Sequence, residues 1–112
     1  MRHWAEELAR DHLAALGYTV LEENYVVRGG EIDLVMLHDR TLVFVEVRQR
    51  NRADYGSAGE SLAPRKLALV RRAARMYLAK RFGRDDLPVR IDAVLVHGSK
   101  SRNRIEHLTG IG

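Results

Sequence analysis

Apolar positions recur along the chain with two different spacings, and the changes between them mark out the elements. From His3 to Leu16, the residues Ala5, Leu8, Ala9, Leu13 and Leu16 fall on one helical face, and Gly17 stops the run. Glu6 lies at the margin of that face, while Glu7 and Asp11 point away. Tyr18 to Val27 predicts a strand. Its apolar halves are separated by Glu22, Glu23 and Asn24, which predicts a bulge or a kink. Arg28-Gly29-Gly30 predicts a turn. Two β-branched runs follow, Ile32 to Leu37 and Leu42 to Val47, joined by His38-Asp39-Arg40-Thr41, which is a hairpin signal. Gln49 to Ala63 has little periodicity and predicts a loop. Pro64 suits the first position of a helix that continues to Phe82, with Leu67, Val70, Ala74, Tyr77 and Leu78 on one face. Val89 to His97 alternates, placing Ile91, Ala93 and Leu95 on one face and Asp92, Val94 and Val96 on the other. Arg104 to Leu108 predicts a short last strand. The order α-β-β-β-α-β-β predicts one α/β domain over residues 1–112, a mixed, mostly antiparallel sheet with two helices against it.

Four charged residues interrupt the hairpin: Glu31, Asp33, Glu46 and Arg48. An even-numbered loop centred between Asp39 and Arg40 sets His38 opposite Thr41, Asp33 opposite Glu46 and Glu31 opposite Arg48. Directly opposed side chains lie roughly 4.5–5.5 Å apart, and like charges there repel. Two carboxylates so placed are tolerated if one is protonated or if a cation sits between them. Hard divalent cations such as magnesium take carboxylate oxygens.

Composition narrows the class. An apolar fraction of 46% supports a folded core, and no apolar run reaches the ~18 residues of a membrane helix. The absence of cysteine excludes disulfides and thiolate metal sites. The amino-terminal residues have no signal-peptide pattern, so a cytoplasmic location without membrane association is expected. The five histidines show no metal-ligand spacing, and no GxSxG, P-loop or GxGxxG occurs. The formal charge of +4 favours a polyanionic partner. It is concentrated on the second helix, where no Asp or Glu occurs between Arg65 and Arg84. Arg71, Arg72 and Arg75 on that helix, with Arg50 and Arg52 in the preceding loop, are candidate phosphate contacts; a solvated charged face is the plainer reading. Lys66 falls between the two faces near the helix start.

Gly30-Glu31-Ile32-Asp33-Leu34, followed by Val43-Phe44-Val45-Glu46-Val47-Arg48 and Arg50, resembles the bacterial YraN-like family. The resemblance extends to Glu6, Gly17-Tyr18, Asn24-Tyr25, Lys66 and Arg90-Ile91-Asp92. It implies the PD-(D/E)xK nuclease fold, related to archaeal Holliday-junction resolvases. It further implies that Asp33 and Glu46, with Glu6, bind magnesium or manganese. The position two residues after the Glu usually holds a lysine that assists the attacking water. Here it is Arg48, which stays protonated and cannot serve as a general base, although its fork of donors still suits a phosphate.

The resemblance therefore implies a metal-dependent DNA endonuclease acting on branched or damaged DNA, working as a homodimer. Arg48 would stabilise developing charge, Glu31 would orient it, and Lys66 is a candidate for the missing ammonium. The alternative is a nucleic-acid binding module of the same fold without cleavage. A subunit that docks an acidic protein through the basic helix is a third reading.

Overall fold

The computed structural model describes residues 3–50, 63–84 and 86–112. Helix α1 covers Trp4–Ala15, followed by strands β1 (Thr19–Val27), β2 (Gly30–His38) and β3 (Thr41–Arg50). Helix α2 covers Pro64–Phe82, and β4 (Val89–Gly98) and β5 (Asn103–Leu108) complete the chain. The strands form one sheet in the order β1-β2-β3-β4-β5. Only β3 and β4 run parallel, because α2 carries the chain back across the sheet between them. The α/β architecture and element order are those expected from the periodicity.

The two helices cover opposite faces. Ala5, Ala9 and Leu13 of α1 pack with Leu34, Met36, Val43, Val45, Val94 and Val96. On the other face Val70, Ala73, Tyr77 and Leu78 of α2 pack with Ile32, Val35, Phe44 and Ile91. The interior strands β3 and β4 are thus buried on both sides, which is why they read as near-continuous apolar runs. Leu16 was expected on the α1 core face. It is the helix C-cap and 55% exposed, because the last turn ends before that face reaches the sheet.

Local rules set the chain reversals. Asp39 and Arg40 both have positive φ, 48° and 66°, the signature of a tight two-residue hairpin turn. Their turn sets His38 opposite Thr41, as the even-loop register requires. The irregularity expected in β1 occurs between Val20 and Glu22, and Asn24 is left-handed with φ 51°. Gly29 has φ 80° and turns the chain. Gly30 is required for another reason. A Cβ there would stand 2.7 Å from the Leu69 carbonyl oxygen and 2.9 Å from the Ala73 nitrogen. At Gly30 the close approach is made by the backbone of α2, and at Gly29 by the Arg72 side chain.

Candidate active site

The hairpin ladder runs from His38↔Thr41 to Leu34↔Val45 and ends there. Beyond it β2 pairs only with β1, while β3 continues along β4 as far as Arg50↔His97. The strands separate at Asp33 and Glu46, one residue past the last pair. A second irregularity coincides with this point. Ile32 packs under α2, whereas Leu34, two residues on, packs under α1. Regular alternation would keep them on one face, so β2 turns over at Asp33. Asp33 uses the gap: its Oδ2 accepts a 2.8 Å hydrogen bond from the Val47 N–H. Ladder geometry and side chain together hold the carboxylate beside β3.

Glu46 is 1% exposed and faces α2. Its Oε1 is buried without a hydrogen-bond partner among the described residues. Burial, and then the charge of Asp33, push its carboxyl up to about 8. Burial also raises Asp33, against the opposing effect of the Val47 hydrogen bond. At neutral pH the pair therefore retains a proton unless a cation replaces it.

A cation lies close by, supplied by the start of α2. Lys66 Nζ is 3.6 Å from Glu46 Oε2 and donates a hydrogen bond to Glu31 Oε1. Burial lowers the Lys66 pKa, but the Glu31 bond and the Glu46 charge raise it on balance, so the ammonium stays charged. This corrects one expectation. Glu31 does not face Arg48; it holds Lys66, because the ladder that would have paired positions 31 and 48 stops at Leu34. Arg48 is exposed and has no ion pair with these carboxylates. The ammonium beside Glu46 is that of Lys66, from a helix 20 residues further along the chain.

Glu6 stands elsewhere. With His3 and Ala5 it lines one wall of a cavity of about 460 Å³, whose other wall is the 47–50 end of β3. Among the described residues no three of His, Cys, Asp and Glu are gathered to hold a metal ion. The acid cluster is therefore Asp33 and Glu46, with Glu31 linked through Lys66. The donor set is all hard oxygen, and the unpartnered Glu46 Oε1 is the kind of acceptor a divalent cation satisfies.

The remaining basic residues divide among separate surfaces. Arg50 lines the cavity beside Arg48. Arg72 Nε donates to the Arg28 carbonyl oxygen at 3.0 Å and so ties α2 to the β1–β2 turn. Arg71 and Arg75 border a cleft of about 310 Å³ floored by Phe44 and Ile91. Arg52 lies outside the described residues.

A second polar cluster joins Tyr18, Arg90 and Asp92, which carry part of the family resemblance, to His107. Asp92 is fully buried and accepts from Arg90 Nε at 2.8 Å, Arg90 Nη2 at 2.9 Å and the Gly110 N–H at 3.0 Å. His107 Nε2 lies 2.8 Å from Asp92 Oδ2, and Arg90 also donates to the Tyr18 hydroxyl at 2.8 Å. Burial alone would raise the Asp92 carboxyl, but these partners hold it below the usual range. The signal was present in β4: an aspartate alternating with Val94 and Val96 sits on a core face and must be paired there.

Residues 5–96 match the family described as "Uncharacterised protein family UPF0102". The chain belongs to the UPF0102 family. It is 49% identical to a UPF0102 protein of Deinococcus radiodurans, over 93% of this chain and 85% of that protein. A UPF0102 protein of Thermus thermophilus is 46% identical, over 94% and 90%. One of Dechloromonas aromatica is 45% identical, over 86% and 78%. The part that matches the UPF0102 family contains Asp33, Glu46, Glu31 and Lys66, and ends before His107.

Proposed function

We propose that this UPF0102 chain is a metal-dependent endonuclease that hydrolyses DNA phosphodiester bonds, with a PD-(D/E)xK-like centre. The observation that carries the reading is the pair of half-buried Asp33 and buried Glu46, with an oxygen unpartnered among the described residues and the Lys66 ammonium alongside. Paired acids so placed are costly to a fold and are retained where they bind or react. A magnesium or manganese ion held by Asp33 and Glu46 supplies Lewis-acid polarisation of a phosphate and a bound water of lowered pKa.

The chain's own residues divide the remaining work. Glu46 exchanges its proton for the cation. Asp33 is positioned by the Val47 N–H and stays oriented toward Glu46. Lys66 presents positive charge to the scissile phosphate, taking the place expected for a lysine at position 48, and Glu31 holds it there. Arg48 contributes binding, not proton transfer. DNA is the partner, a homodimer the assembly and the cytoplasm the setting that accompany this reading.

The test is cleavage of labelled linear, flapped and four-way-junction DNA with magnesium or manganese. Wild type is compared with Asp33→Asn, Glu46→Gln and Lys66→Met. The expected result is cleavage that all three substitutions abolish. Cleavage that survives both carboxylate changes refutes the assignment. One observation favours the second reading, a binding module without cleavage: the described residues bring only two carboxylates directly together. That reading predicts salt-dependent DNA binding and no metal-dependent product.

A further inference from the structure

We propose that the cavity between the start of α1 and the end of β3 is a phosphate pocket. It takes a DNA backbone phosphate a few nucleotides from the one at Asp33 and Glu46. The identity of the bound strand rests on the cleavage reading above; the pocket itself does not.

The cavity, of about 460 Å³, adjoins the acid pair: Val47 lines it and also gives its N–H to Asp33. Its cations among the described residues are Arg48 and Arg50, which both line it from the end of β3 where β2 no longer pairs. Arg50 Nε is buried and has no hydrogen-bond partner among the described residues. A buried donor on a charged group is costly when left unpaired. Such a group calls for an acceptor, which the described residues do not supply. Guanidinium forks match the oxygens of a phosphate, and two together fix its orientation.

The α1 wall adds a third donor. His3 Nδ1 accepts the Ala5 N–H at 3.1 Å, so the neutral ring carries its proton on Nε2. Glu6 is the acid among the described walls, leaving two formal positive charges against one negative. Along β3, Arg48 lies about 7 Å and Arg50 about 13 Å beyond Glu46 at the usual rise per residue. Those lengths correspond to roughly two to four nucleotides at ~3.4 Å per step of a duplex.

The experiment measures binding of a short fluorescent DNA duplex by anisotropy in EDTA, across a salt series. It uses wild type, Arg50→Gln, Arg48→Gln and Arg50→Lys, with each melting temperature recorded. Arg50→Gln is expected to bind about tenfold more weakly, with the slope of log K against log salt reduced by about 1. Arg50→Lys restores the slope but not the full affinity, because charge remains and the fork is lost. Unchanged affinity and slope in both glutamine variants, with wild-type melting, overturn the proposal. So does inorganic phosphate that raises the melting temperature of wild type but not of Arg50→Gln, while DNA binding is the same in both; the pocket would then serve a free anion. Cleavage is read separately, so loss of the nuclease reading leaves this result standing, and the reverse.

Discussion

Replacing Glu46 by glutamine should make the metal-free protein more stable at alkaline pH, although it removes a buried side chain's charge and a proposed metal ligand. The Glu46 carboxyl titrates at about 8 in the folded chain, against an ordinary value of 4.5. A carboxyl raised by folding binds its proton more tightly in the native state. Below pH 4.5 both states are protonated and there is no penalty. As pH rises the unfolded chain ionises first, so stability falls by about 1.4 kcal/mol per pH unit until the folded group ionises near pH 8. The full loss is on the order of 5 kcal/mol, and about 3 kcal/mol of it is present at pH 7. Glutamine has nearly the same volume and does not titrate. In EDTA, the two proteins should melt together near pH 5 and diverge steadily to pH 8. At roughly 4 °C per kcal/mol for a domain of this size, Glu46→Gln should melt ~10 °C higher at pH 7. Thermal unfolding followed by circular dichroism across pH 5 to 8.5 reads the difference. Asp33 titrates with Glu46, so the curve belongs to the pair. A difference that stays flat with pH, or a glutamine variant less stable throughout, refutes the assignment of desolvation and like charge to this site. Added magnesium or manganese should raise the wild-type melting temperature at pH 8 and leave Glu46→Gln unchanged.

Lys66→Met removes the cation that opposes these effects, so the metal-free protein should lose stability above neutral pH, and carboxyl NMR should show Glu46 titrating still higher. Gly30→Ala drives a methyl group against the Leu69 carbonyl and the Ala73 nitrogen; denaturant unfolding should show a loss of about 1–3 kcal/mol. Asp92→Ala leaves Arg90 without its buried partner, and the same measurement should show a loss of about 3–5 kcal/mol. Neither Gly30→Ala nor Asp92→Ala should alter which DNA structure is bound.

Much of this chain was determined by spacing that acts over a few residues. Helical and alternating periods located all seven elements, since one face of each must be apolar to be buried. The hairpin register was legible because a tight turn at Asp39-Arg40 admits a single pairing, and Asp33 and Glu46 followed from it as neighbours. The alternation also set Asp92 on the face of Val94 and Val96. Spacing could not show where the ladder would stop. It extrapolated the pairing to Glu31 and Arg48, but β2 turns over at Asp33 and the strands part. Nor could it choose which cation approaches Glu46. That depends on α2 crossing the sheet between two parallel strands, which brings Lys66 to Glu31 across 35 positions of sequence. The division of Arg72, Arg71 with Arg75, and Arg48 with Arg50 among three surfaces has the same origin. A local period records which face is apolar, but only packing decides what covers it and which charges meet at its edge.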